Sequence, residues 1–275
     1  MSTRSLRQLG ALIALAAVRL GSFAFAATAN AGSTTPKPTV VLVHGAFADS
    51  SGWNGVIDRL RRDGYPAVAA PNPLSDLQSD AATVRGFLDS IKGPKILVGH
   101  SYGGAVITQA ASGDPDIKAL VYVAAVAQDS GEVLHELLNR PVAHPVAPIP
   151  PALVSVDVAQ PDGTKRTDVY LDPSKFRDRF AGDLSPRRAA HLAATQPSTS
   201  AATFDAKLSV PPAWKTIPSW YLVAKQDNAI APDLERFMAR RIHAHTRQIN
   251  GSHAVYISRP NAVADLVEQA ARATR

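Results

Sequence analysis

The sequence predicts an α/β protein: a mostly parallel sheet of about six strands, helices on both faces, and an inserted helical cap. Three observations carry that expectation. Short apolar runs alternate with longer helix-like stretches from Pro36 onward, which is how strands and crossover helices alternate in a parallel sheet. A serine flanked by glycines, Gly99-His100-Ser101-Tyr102-Gly103, stands where one such run meets a helical stretch. The chain has 275 residues of which 45% are hydrophobic, enough for a substantial core in one large domain or two small ones.

The first 31 residues are set aside before the fold is read. Arg4 and Arg7 precede the apolar run 9–18, and small residues follow as far as Ala29-Asn30-Ala31, the pattern of a secretory signal peptide with its cleavage site. The run is too short for a membrane span, so the expected mature protein is secreted or periplasmic and crosses no membrane. The whole chain has 29 basic and 23 acidic residues, a formal charge of +6; losing Arg4, Arg7 and Arg19 leaves +3. What remains is scattered over Arg59, Arg61, Arg62, Arg187, Arg188, Arg240 and Arg241 without interleaved aromatics, which argues against a nucleic-acid track. No cysteine is present, so disulfides and thiolate metal sites are excluded.

Strands are predicted at 39–43, 66–70, 95–98, 119–124, 219–224 and 245–249, and helices at 53–62, 76–91, 102–112, 232–242 and 259–273. The fourth helix has Asp233 and Glu235 in its first turn and Arg240 and Arg241 in its last, the charge order a helix dipole favours. Residues 32–127 and 219–275 thus read as the core. Between 128 and 218 the alternation stops. This stretch holds Pro141, Pro145, Pro148, Pro150 and Pro151, a hairpin or turn at Pro161-Asp162-Gly163, and helical pieces near 175–180 and 185–194. Ninety residues are too many for a plain loop, so a cap over the site is expected.

Lys95-Ile96-Leu97-Val98 followed by a helical stretch makes Ser101 a candidate nucleophile, held at the tip of a strand by a turn that needs glycine on either side. A serine hydroxyl needs a base, and the base needs an orienting group. His253, in Gly251-Ser252-His253 after the last strand, reaches the same carboxyl edge of the sheet. Asp227 follows the strand before it and is the candidate acid, with Asp129 as competitor. His243 and His245 flank a helix end, His135, His144 and His191 fall in the cap, and His100 is expected to point away from the nucleophile. The oxyanion calls for two N–H donors: the Tyr102 amide, and the Phe47 or Ala46 amide from His44-Gly45-Ala46-Phe47. His44 is expected to fasten that loop.

Val41-Leu42-Val43-His44-Gly45-Ala46-Phe47, Ser50-Ser51-Gly52-Trp53, Gly99-His100-Ser101-Tyr102-Gly103-Gly104 and Gly251-Ser252-His253 together resemble the α/β-hydrolase superfamily. Within it the chain is similar to the branch of plant methylesterases, hydroxynitrile lyases and bacterial serine esterases. The resemblance implies the α/β-hydrolase fold, no cofactor and no metal, a Ser101, His253, Asp227 triad, and a small-molecule ester as partner. The lyases of that branch usually carry lysine after the histidine, where this chain has Ala254; epoxide hydrolases and dehalogenases place aspartate where it has Ser101. The expected function is cleavage of carboxylic esters of small hydrophobic substrates through an acyl-enzyme. A perhydrolase or haloperoxidase-like enzyme with the same triad, or a non-catalytic ligand-binding protein of this fold, are the alternatives.

Overall fold

The computed structural model describes residues 36–274, so the expected signal peptide lies outside the described residues. The first half runs β1 (Thr39–Val43), α1 (Asn54–Arg62), β2 (Ala67–Ala69), α2 (Leu77–Asp89), β3 (Lys95–His100), α3 (Gly103–Ala110) and β4 (Ile117–Val123). A middle section follows with α4 (Leu134–Leu138), β5 (Leu153–Ala159), β6 (Lys165–Leu171), α5 (Pro173–Phe180), α6 (Pro186–Thr195) and β7 (Thr199–Ser200). The chain then closes through β8 (Ser219–Ala224), α7 (Pro232–Arg241), β9 (His245–Ile249), α8 (Val255–Ser258) and α9 (Pro260–Ala273).

Six strands form one sheet in the order β2-β1-β3-β4-β8-β9, with every neighbouring pair parallel. A strand shows alternate side chains to opposite faces, and here both faces are covered. Val41, Leu97, Leu120 and Tyr221 join the core beneath α2, α3 and α7, through Val84, Val106 and Met238 among others. Val40, Ile96, Val121 and Trp220 point the other way, onto Leu60 of α1 and Val263 and Val267 of α9. Continuous apolar runs such as Lys95-Ile96-Leu97-Val98 are therefore buried on both sides. Because the strands are parallel, the loops after β1, β3, β4, β8 and β9 all emerge at one edge, where ligand sites of such sheets lie.

Most boundaries shift by one or two residues from expectation, and two of the shifts have a direct physical reason. β3 runs two residues past Val98, because Gly99 and His100 keep their pairing with Tyr122 and Val123 of β4. β2 shrinks to Ala67–Ala69, since it is an edge strand with β1 as its single partner. The middle section departs further, for the expected helical cap also contains a three-stranded antiparallel sheet in the order β5-β6-β7. Leu153–Ala159 does alternate, but with its valines outward: Val154 and Val156 are both 44% exposed. The turn expected at Pro161-Asp162-Gly163 is the hairpin joining β5 to β6, with Gly163 at φ +84° and Gln160 donating its amide to Thr164 O at 2.9 Å.

Leu97 is fully buried in the central strand whereas Val156 stands in the hairpin. Leu97→Ala is expected to lower stability by about 2–5 kcal/mol in urea unfolding, and Val156→Ala by no more than about 0.5 kcal/mol.

Candidate active site

Ser101 occupies the turn between β3 and α3 with φ +53°, a left-handed conformation that costs a non-glycine residue about 1–2 kcal/mol. Its surroundings hold it there. The Ser101 carbonyl accepts from the amides of Gly104 at 2.9 Å and Val126 at 3.0 Å. A Cβ on Gly103 would stand 2.6 Å from Val43 O, and one on Gly45 2.5 Å from Ser101 Cβ, so the loop after β1 and the β3–α3 turn touch only because both residues are glycine. The Tyr102 hydroxyl donates to Asp80 Oδ2 of α2 at 2.8 Å in a fully buried pair.

His253 follows β9, and its Nδ1 lies 2.6 Å from Asp227 Oδ2. Asp227 is 1% exposed; its Oδ1 accepts from the amides of Ala229 at 2.6 Å and Ile230 at 2.8 Å. Both oxygens of this buried side chain are thus hydrogen-bonded. With Nδ1 on Asp227, Nε2 is the imidazole nitrogen left for Ser101, and both residues line one cavity of about 480 Å³ that is partly open to solvent. Its walls are apolar: Val126, Leu134, Leu138, Ile149, Leu171, Phe180, Phe204 and Ile230. Asp129, the rival acid, is elsewhere, paired with Lys215 Nζ at 2.7 Å.

The loop after β1 brings Ala46 and Phe47 to the same cavity. The two expected donors are not equivalent. Phe47 has φ +59°, and its amide points at Thr199 Oγ1 of β7, 3.3 Å away. Among the described residues nothing accepts from the Ala46 or Tyr102 amide. Both residues line the cavity together with Ser101. His44 fastens the loop as expected: neutral through burial, it donates from Nδ1 to Gly45 O at 3.0 Å, while Asn72 donates to His44 O at 2.7 Å.

Three residues near the site escaped the sequence reading. His100 does not simply point away; it is fully buried, packs its ring 4.6 Å from that of His253, and donates from Nε2 to the His253 carbonyl at 2.9 Å. Thr199 is buried in the cap and gave no signal in sequence. Glu235, read as a charge in the first turn that the helix dipole favours, is fully buried beside Asp227. Of the remaining histidines, His144 sits exposed on Asp233 at 2.8 Å and His135 on Asp205 at 3.1 Å. No cluster of three or more potential metal ligands occurs among the described residues.

Residues 40–266 match the alpha/beta hydrolase family. The chain is 26% identical over 260 residues to the alpha/beta hydrolase nvfD of Aspergillus novofumigatus, spanning 86% of this chain and 97% of that one. It is 26% identical over 244 residues to a pyrethroid hydrolase of Sphingobium wenxiniae, covering 83% of this chain and 85% of the relative. Among solved structures, the methylesterase MES16 from Arabidopsis superposes with a TM-score of 0.69 at 18% identity, over 86% of this chain and 99% of its own.

Burial holds the His44 and His100 imidazoles below their usual value of 6.5, and in His100 well below. The unfolded chain takes up these protons near that pH and the folded protein does not, so the stability involved is complete above it and is lost as pH falls. The urea midpoint is expected to drop between about pH 7.5 and pH 5.5, and to drop less in His100→Gln, whose side chain keeps an N–H donor without titrating.

Proposed function

Because the chain belongs to the alpha/beta hydrolase family, we propose that it is a serine esterase that cleaves small hydrophobic carboxylic esters through an acyl-enzyme. The observation that carries this reading is the buried 2.6 Å contact of Asp227 with His253 on the cavity that Ser101 also lines. Ser101 Oγ attacks the ester carbonyl as its proton passes to His253 Nε2, and the Asp227 carboxylate stabilises the imidazolium. The oxyanion takes the free Ala46 and Tyr102 amides, with Phe47 shaping the loop from its bond to Thr199. Collapse expels the alcohol with the proton from His253. Water then enters, gives its proton to His253 and attacks the acyl carbonyl, releasing the acid and restoring Ser101.

The apolar cavity wall and the pyrethroid hydrolase relative favour an apolar ester over a charged one. Ala254 after the histidine leaves no cation to receive a departing cyanide, which keeps ester cleavage ahead of the lyase chemistry of similar proteins. The reaction as written needs no cofactor. Export to the periplasm or medium belongs to the proposal on the pattern of residues 4–31.

Ser101→Ala is expected to reduce turnover of p-nitrophenyl butyrate by about 1,000-fold or more and to abolish labelling by a fluorophosphonate, which the wild type should take up. Undiminished turnover in that variant would show that another group attacks the ester.

A further inference from the structure

Glu235 lies in the first turn of α7, where an acid is ordinarily solvated, yet it is 0% exposed. Its Oε2 accepts from the Ala224 amide at the end of β8, at 3.1 Å. Oε1 has no N–H or O–H partner among the described residues. Asp227 is tied to the same residue, its amide donating to the Ala224 carbonyl at 3.2 Å, so two buried carboxyl groups hang on one peptide. Two carboxyls buried side by side do not both ionise, so one of the pair is an acid.

The donors decide which. Asp227 holds three, from Ala229, Ile230 and His253, whereas Glu235 holds one. A carboxylate offers about four lone-pair sites, so the Glu235 proton completes the set on Asp227. Arg236, next in α7, turns its guanidinium to Asp233 at 2.6 Å and Gln248 at 2.9 Å, and the Tyr221 hydroxyl of β8 donates to the Ala125 carbonyl. His253 faces Asp227 from the other side, with neutral His100 behind it. Burial and the neighbouring Asp227 charge both push the Glu235 carboxyl well above the usual carboxylate range.

We propose that Glu235 is a positioning residue of this reaction: a neutral carboxylic acid that donates a hydrogen bond to Asp227, fixing that carboxylate and moderating the charge it presents to His253. The role rests on the serine-esterase reading, but the protonation state of Glu235 does not. The shared proton draws charge from Asp227, so the imidazolium is held firmly enough to form and loosely enough to return its proton to the leaving alcohol. Glutamine can replace this acid, since its carbonyl can accept from Ala224 and its amide can donate to Asp227. Methionine fills similar volume without a donor.

The test compares Glu235→Gln and Glu235→Met with wild type in kcat, KM and the pH profile of kcat/KM on p-nitrophenyl butyrate, with Ser101→Ala alongside. Glu235→Gln is expected to keep kcat within about 3-fold and the acid limb within about 0.3 pH unit. Glu235→Met is expected to lose kcat by about 10-fold or more with KM little changed, and to move its acid limb to higher pH as unshared charge on Asp227 strengthens the imidazolium. Equal kcat in the two variants, with Ser101→Ala inactive, overturns the role of Glu235 alone. Retained turnover in Ser101→Ala overturns the esterase reading and the role together. A fall of the acid limb by about one pH unit or more in Glu235→Gln shows that Glu235 was ionised, which also overturns it.

Urea unfolding supplies a readout that does not involve turnover. A carboxyl raised in the folded state contributes stability that is full below the unfolded value of 4.5 and is lost as pH rises toward the folded value. The wild-type midpoint is therefore expected to fall relative to Glu235→Gln between about pH 5 and pH 8. A constant difference across that range overturns the neutral acid.

Discussion

A carboxylate removed from water must be surrounded by donors, and the candidate site is arranged around that demand at Asp227. The loop after β8 folds its own Ala229 and Ile230 amides onto one oxygen, and the loop after β9 delivers His253 to the other. Backbone bonds join the two loops, from Lys225 N to Ile249 O at 2.9 Å and from Gln226 N to Gly251 O at 3.0 Å. Asp227 and His253, the acid and base of the proposed reaction, are thereby fixed to one another. Such preorganisation is what allows a buried pair to act without rearrangement during the reaction.

The cap takes part in this arrangement. Phe180, at the end of α5, accepts from the Ala254 amide at 2.8 Å, and Asp183 just beyond it accepts from the Ser252 hydroxyl at 2.5 Å, so the base loop is clasped from above. On the opposite side of the cavity Thr199 of β7 takes the Phe47 amide. Each half of the site thus has one support from the sheet and one from the insertion. The segment that lines the cavity through Leu134, Ile149, Leu171 and Phe204 thus also supports the loops that carry Phe47 and His253.

Much of this was legible in the chain because sheet strands and glycine-dependent turns leave local signals. The six-strand parallel sheet follows from apolar runs of strand length, and Ser101, Asp227 and His253 come together because each follows a strand of that sheet. The apolar run ends at Val98 and the pattern places Gly99 in the turn, whereas pairing with β4 carries the strand to His100. A hairpin or turn was legible at Pro161-Asp162-Gly163, but its strands were not, because β5 lies largely in solvent and lacks the one-sided burial that marks a sheet strand. The functions of Thr199, His100 and Glu235 depend on contacts 152, 153 and, through Asp227, eight positions away, and side-chain type alone does not announce such partners. Glu235 misled for a definite reason: an acid in a first helical turn satisfies the dipole rule whichever way its side chain points.

In the proposed reaction Ser101 carries the acyl group between two half-reactions. The most direct measurement is acid quenching of the purified protein during turnover of a slowly hydrolysed p-nitrophenyl ester, followed by intact and peptide mass analysis. The account requires an initial burst of p-nitrophenol and an acyl adduct confined to the peptide that contains Ser101. Turnover without a burst or adduct, or an adduct on a peptide lacking Ser101, would contradict it.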